Sequence, residues 1–250
     1  MHSYKFFTTA DVHSDKVLDM KDLHKKVLAA DADSTDRAIY NIPLDVKRWL
    51  PQASKVYHIS KDINDYIVVP VCIFLSDLPN RNGVAFPLQE LIKFNTDTGD
   101  LAYKAWKGKP TFEEHKNNVL SEAKGVIFDA FMEDAPEFEG DLAKVILLLG
   151  FDKTKDSSLC QKILSGERPC YSMGSYSDDF VCSVCGKRLS KGGCQHASIS
   201  NPKFEVFDGK LGFYNAVDIL PFECSSVSTP AYVMCENPNV IEISKINTVK

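Results

Sequence analysis

The longest uninterrupted apolar run, Tyr66-Ile67-Val68-Val69-Pro70-Val71-Cys72-Ile73-Phe74-Leu75, is rich in β-branched residues and reads as a buried strand or pair of strands. Val56-Tyr57-His58-Ile59 ahead of it has a similar character and is expected to be the first strand of the core. Gly125 to Phe131 and Val145 to Leu149 are short, apolar and strand-like, although the second is also compatible with a buried helical segment. A last strand pair is predicted around Phe213-Tyr214 and from Val217 to Leu220, leading into the segment that carries Glu223.

Helical spacing is confined to a few places. Ser14 with Asp15 can cap a helix whose Val17, Met20, Leu23 and Val27 form one apolar face, ending near Ala30. The polar stretch from Asp31 to Asp36 then reads as a hinge. Pro87 is placed to open a short helix through Leu88, Leu91 and Ile92, after a turn-rich segment from Pro79 to Gly83. Leu159, Cys160, Ile163 and Leu164 make a helical face that starts after Asp156 and stops at Ser165-Gly166, a few residues before a strand that should hold Ser172. Many strands with few helices predict a mainly β (α+β) protein with a partly closed β core and flanking helices. Residues 1–50 are expected to form an N-terminal accessory helical segment and 51–250 the main domain.

Composition narrows the function classes. A chain of 250 residues with 44% hydrophobic content can bury a substantial core. The net charge of -5 and the absence of a long basic block argue against nucleic acid as a partner. No membrane association is expected, because the apolar stretch Ile67 to Leu75 contains Pro70 and falls well short of the roughly 20 residues a spanning helix needs. The first twenty residues carry Asp11, Asp15 and Asp19 and do not read as a signal peptide. The eight cysteines are therefore expected in a reducing compartment, with three of them on metal. Cys72, Cys160, Cys170, Cys224 and Cys235 are expected to be small buried side chains.

Cys182-x2-Cys185-Gly186 followed by Cys194-x-His196 offers three thiolates and an imidazole, a soft four-member set that favours structural, tetrahedral zinc. Gly186 relieves the turn after Cys185, and Gly192-Gly193 lets the chain return to deliver Cys194. A redox C-x2-C pair and unbound cysteines are the competing readings. Four filled positions leave no place for a reactive water, so the metal should staple an insertion at about 180–200 that is too small to fold by burial alone.

Three further pieces supply a base, a hydroxyl and a carboxylate: Glu114-His115-Lys116-Asn117, Tyr171-Ser172-Met173-Gly174 and Pro221-Phe222-Glu223-Cys224-Ser225. A serine attacks a carbonyl when an imidazole accepts its proton and a third group fixes that imidazole. Read alone, His115 is also a surface histidine, Ser172 is not in a G-x-S-x-G elbow, and Glu223 is also an outward-facing residue of an edge strand.

The run from about Pro70 to Met234 resembles the prohead maturation proteases of tailed bacteriophages, of the T4-like and giant-phage type, which are related in fold to the herpesvirus assemblins. The resemblance rests on an ordered set covering about two thirds of the chain: Phe74 to Gly83, Gly108 to Asn117, Gly125 to Ala130, Ser165-Gly166 with Tyr171 to Gly174, and Phe222 to Ala231. It implies a partly closed assemblin-like β-barrel and a serine endopeptidase in which His115 is the general base, Ser172 the nucleophile and Glu223 the third member. Asp179 and His196 are rivals for that third place, and His196 would have to leave the cysteine cluster to take it. The oxyanion donors stay unassigned, with Gly174 and Arg168 weighed.

The same resemblance implies cleavage after glutamate, with Lys104, Lys107 and Lys109 as contributors to a basic pocket near His115. The expected substrates are scaffold and major capsid proteins and the chain itself, inside the immature head in the bacterial cytoplasm, with a homo-oligomer as the working form. Ser172 and His115 are expected to be solvent-accessible. The competing readings are a non-enzymatic capsid or scaffold-associated protein that keeps the protease fold, and a zinc-dependent hydrolase acting through the cysteine cluster.

Overall fold

The computed structural model describes residues 4–10, 45–96, 98–136, 138, 142–168, 170–229 and 241–242; for 4–10 and 241–242 the description is of backbone pairing. In chain order the elements begin with β1 (Tyr4–Ala10), α1 (Val46–Tyr57), β2 (Tyr66–Leu75), β3 (Val84–Ala85), α2 (Leu88–Leu91), β4 (Phe94–Asn95) and β5 (Asp100–Leu101). The middle of the chain supplies β6 (Pro110–Glu113), β7 (Gly125–Asp134), β8 (Ala143–Asp152) and α3 (Ser157–Leu164). The rest comprises β9 (Cys170–Cys182), β10 (Val206–Phe207), β11 (Lys210–Leu211), β12 (Tyr214–Val227) and β13 (Ile241–Glu242). The protein is mainly β with few helices, as its hydrophobic pattern predicts.

One sheet dominates, in the order β1-β9-β12-β6-β7-β8-β2-β13, with β3 beside β12. β12 runs parallel to β6 and β3, and the other pairings are antiparallel. Among the described residues, hydrogen-bonded pairing joins the long β9–β12 ribbon to the β7, β8 and β2 strands through the short β6. β1 and β9 approach β2 to within 8 Å between Cα atoms, so the sheet rolls strongly. It does not complete a barrel: among the described residues it remains an open path ending at β1 and β13.

The roll encloses the main core. Val69 and Val71 of β2, Leu147 and Leu149 of β8, Tyr171 and Met173 of β9, and Ala216 and Cys224 of β12 fall in one buried cluster with Phe74, Phe86 and Trp106. Burial of each Val, Leu, Phe or Met side chain among them favours folding by roughly 1.5–3 kcal/mol. The run from Val145 to Leu149 is a strand, and β8 is buried on both faces, which is why its pattern is continuously apolar rather than alternating.

Helix α1 covers the other face. Val46 and Leu50 are buried against Tyr66, Val68, Val126, Phe128 and Leu148, with Trp49, Ala53 and Tyr57 packed alongside. This overturns the strand expected at Val56 to Ile59. Val56 and Tyr57 form the last turn of α1, and His58 ends it with φ of 53° while its N–H donates to the Ser54 carbonyl. The apolar positions 46, 49, 50, 53 and 57 follow the helical repeat, and packing on the sheet outweighs the local β preference of Val56-Tyr57. Pro51 sits inside the helix without ending it, so α1 runs across the boundary expected at position 50.

Several other elements lie where their sequence signals put them. Pro87 is the N-cap of α2, and the Asp156 side chain caps α3 by accepting the Leu159 N–H at 3.0 Å. The expected strand pair near Phe213 to Leu220 is instead one strand, β12, with an irregularity between Pro221 and Glu223. The helix expected between Ser14 and Ala30, the hinge at Asp31 to Asp36 and Cys235 lie outside the described residues. No helix among the described residues is long and apolar enough to cross a membrane.

Candidate active site and metal cluster

Ser172, Ser225 and Phe112 form one row across three neighbouring strands, because Ser172 of β9 is the ladder partner of Ser225 of β12, which is the partner of Phe112 of β6. Directly opposite residues share a face of the sheet, and so do residues two apart on a strand, which adds Glu223 and Gly174 to the same face. Met173, Tyr171 and Cys224 point the other way, into the main core. Ladder geometry puts the Cα atoms of Ser172 and Ser225 about 5 Å apart and the diagonal from Ser172 to Glu223 at about 7–8 Å.

His115 reaches this face by a turn. The Glu113 carbonyl accepts the Lys116 N–H at 3.1 Å, and the two residues between, Glu114 and His115, have φ of 50° and 53°. Such paired positive values belong to the primed turns that glycine and asparagine favour. Holding a non-glycine residue there costs on the order of 1–3 kcal/mol. The turn folds the imidazole back over β12, and His115 Nδ1 lies 2.9 Å from Glu223 Oε1.

Glu223 is fully buried, yet both its oxygens are engaged: Oε1 by His115 and Oε2 by the hydroxyl of Ser225 in a short hydrogen bond. Burial of a carboxylate without such partners would be strongly unfavourable. Gly174, opposite Glu223 on β9, makes room for it. A Cβ there would stand 2.6 Å from Glu223 Oε1 and 2.5 Å from the Phe222 ring, so this glycine serves the carboxylate's approach.

The structure thus joins His115 to Glu223 and sets Ser172 on the same sheet face. Ser172 is not solvent-accessible as expected: it is fully buried near the start of β9, between β1 and β12, with Thr9 and Ser225 as ladder partners on its two sides. His115 is the member of the group that reaches solvent, with a side chain 23% exposed. Ser225 was missed by the sequence reading. Its signal was available, since a serine two residues from a glutamate on a strand shares its face.

The rivals for the third position are engaged elsewhere. Asp179 accepts the N–H and hydroxyl of Ser190 at 3.1 and 2.6 Å and the Arg188 guanidinium at 3.3 Å. Burial pushes the Asp179 carboxyl up, but the Ser190 bonds, the Phe180 N–H and Arg188 outweigh it and hold it below the ordinary carboxylate value. It lies seven residues along β9 from Ser172, a span of roughly 23 Å. His196 is in the cysteine cluster. Arg168, weighed as an oxyanion donor, binds Glu113 at 3.1 Å and Glu114 in a shorter contact.

The expected basic pocket does not gather at His115. Lys104, Lys107 and Lys109 line a cavity of about 500 Å³ with Trp49 and Tyr57 of α1, and none of His115, Ser172 and Glu223 is in its wall. Lys107 is paired there with Asp45 at 2.6 Å.

The cysteine cluster forms at the far end of the β9–β12 ribbon. One ligand atom each of Cys182, Cys185, Cys194 and His196 lies within 4.8 Å of every other, so the four could hold a metal ion. A tetrahedral site with bonds of about 2.3 Å needs ligand separations of about 3.7 Å, which a small adjustment supplies. His196 Nδ1 is buried without a hydrogen-bond partner, as suits an imidazole available to a metal. The Val184 N–H points at Cys182 Sγ at 3.4 Å, and Gly186, at φ of 69°, donates to the Cys182 carbonyl at 2.9 Å. Burial pushes the Cys194 thiol up, but the N–H groups of His196 and Ala197 and the neighbouring thiols outweigh it and leave it below its ordinary value. No disulfide links the described cysteines. Cys160 and Cys224 are buried as expected, whereas Cys72 and Cys170 are only partly so.

Comparisons with protein-family models, with curated proteins and with solved structures found no match to this chain.

Proposed function

We propose that this chain is a serine endopeptidase of the prohead maturation type, with an assemblin-like rolled sheet and a structural zinc. The observation that carries this reading is the His115–Glu223 hydrogen bond at 2.9 Å on the sheet face that also holds Ser172. A carboxylate that accepts the Nδ1 hydrogen leaves Nε2 as the basic nitrogen, the tautomer a general base requires.

In the proposed reaction His115 Nε2 takes the Ser172 proton as the hydroxyl oxygen attacks the peptide carbonyl. The imidazolium then gives that proton to the leaving amine, and water repeats the sequence on the acyl-enzyme. Glu223 stabilises the imidazolium from its buried position, and Ser225 keeps the carboxylate oriented through its other oxygen. A peptide would have to enter from the side of His115, the exposed member of the group.

Zinc is the metal we propose for the cluster, because three thiolates and an imidazole in a four-ligand shell match its preference. Cys182 lies ten positions along β9 from Ser172, roughly 33 Å in an extended strand, so the metal would stabilise the insertion rather than enter the reaction. Scaffold and capsid proteins as substrates, cleavage after glutamate, self-processing, a homo-oligomer and a place inside the immature head all belong to this proposal.

The burial of Ser172 favours a second reading, a non-enzymatic capsid or scaffold-associated protein with the same fold. Peptides containing a central glutamate separate the two. Incubation with the purified chain should give products ending in glutamate, which Ser172→Ala and His115→Ala should not give. No hydrolysis by the unaltered chain would favour the second reading, and equal hydrolysis by the Ser172→Ala variant would remove Ser172 as the nucleophile.

A further inference from the structure

The turn that presents His115 is built against the local preferences of its residues. Neither Glu114 nor His115 is a glycine or asparagine, yet both hold positive φ. Something outside the turn must keep it, because in isolation these two residues would relax to negative φ.

The contacts around the turn identify what does so. The Glu114 N–H donates to the Ser226 carbonyl at 2.8 Å, which ties the turn to β12. Arg168, on the short connection from α3 to β9, reaches both turn carboxylates, with Nη2 3.1 Å from Glu113 Oε1 and Nη1 in close contact with Glu114 Oε1. Burial pushes the Glu114 carboxyl up, but Arg168 and Ser228 outweigh this and hold it below its ordinary value. Arg168 is itself anchored, since its N–H donates to the Lys162 carbonyl at the end of α3. The planar guanidinium can engage two carboxylates at fixed relative positions, which a lysine ammonium cannot do with the same geometry.

We infer that Arg168 is a positioning residue that holds the Glu113-Glu114-His115 turn in its strained form and so places the His115 imidazole against Glu223. Arg168 acts through the turn and not on the peptide. Its positive charge is already shared by two carboxylates, which leaves it poorly suited to bind a substrate carboxylate or an oxyanion. The inference rests on the serine-hydrolase reading only for its effect on rate; the effect on the imidazole does not depend on it.

Two measurements on the full chain test it. Proton and nitrogen NMR of the imidazoles should show a hydrogen-bonded Nδ1–H signal for His115 that Glu223→Gln weakens. Arg168→Ala should lose that signal and lower kcat on the order of 100-fold with KM unchanged, the signature of a displaced base. Arg168→Lys should fall between. Adding Glu114→Gly to Arg168→Ala should restore the signal and much of kcat, because glycine takes positive φ without strain and frees the turn from its clamp. A melting curve and amide spectrum for each variant show whether the fold is kept, and Arg168→Gln replaces Arg168→Ala if that variant does not fold. Retention of the Nδ1–H signal in Arg168→Ala would overturn the inference. So would a defect confined to KM that Glu114→Gly leaves uncorrected, since this would put Arg168 on the substrate. If the unaltered chain cleaves nothing, the hydrolase reading fails, and the NMR comparison alone still decides what Arg168 does.

Discussion

At the scale of single residues, Glu223 is the centre of the site, fully buried with both carboxylate oxygens engaged. Its two oxygens serve His115 and Ser225, so Glu223→Gln keeps the volume but removes the charge that stabilises an imidazolium. Cleavage by Glu223→Gln should fall by one to several orders of magnitude, about the range seen when the third member of such a triad is neutralised. A slow acylating inhibitor should still reach Ser172 in that variant. Ser225→Ala should have a smaller effect, because it leaves one Glu223 oxygen in a buried site without its donor. A loss of about 1–3 kcal/mol in stability, read by chemical denaturation, is expected. Glu223 was legible in sequence as a carboxylate inside an apolar segment, a placement that demands a partner. The turn at His115 was not, because Glu-His at paired positive φ violates the local code and is held by the distant Arg168.

Among the elements, strands β2, β7 and β8 and helix α3 could be read locally because their apolar patterns and caps agree with the fold. Helix α1 could not, because Val56-Tyr57 favour a strand until the sheet face they pack on exists. That packing predicts that Leu50→Ala, at a site 1% exposed, costs about 2–5 kcal/mol, whereas exposed Lys47→Ala costs little.

Helix α3 gives a pH test through Asp156. Burial pushes its carboxyl up, but the Leu159 N–H and Lys124 outweigh this and depress it below the ordinary aspartate value of 3.8. A depressed carboxyl contributes stability that is present above the unfolded value and disappears as pH falls through the folded one. The stability difference between the unaltered chain and Asp156→Asn should therefore be full near neutrality and shrink below pH 3.8, as measured by denaturation at several pH values.

The cysteine cluster makes the matching prediction for the insertion between β9 and β12. Elemental analysis should find one zinc per chain, and a strong chelator should raise amide exchange in residues 183–213 before the rest of the sheet opens. An ordered insertion in metal-free protein would count against it. The four ligands could be chosen from spacing alone, since C-x2-C with a returning Cys and His is a local signal.

At the scale of the whole molecule, the described residues form a rolled, open sheet with a Cys/His cluster at the turning end of the β9–β12 ribbon and, at its other end where β6 joins, a His-Glu pair with a buried serine. The sequence pattern carried the β class and the long strands β2, β7, β8, β9 and β12, but not the short β6 that joins them. It could not carry the parallel pairing of β12 with β6, which spans more than a hundred residues and brings the His115 turn beside Glu223. The proposed reaction requires that this junction make Ser172 a nucleophile. Its most direct measurement is reaction of the purified chain with a fluorophosphonate, followed by mass spectrometry to locate the adduct. One adduct is expected, on Ser172, formed far more slowly in His115→Ala and absent in Ser172→Ala. No adduct on the unaltered chain, an adduct on Ser225 or another serine, or labelling of Ser172 that is indifferent to His115→Ala would contradict it.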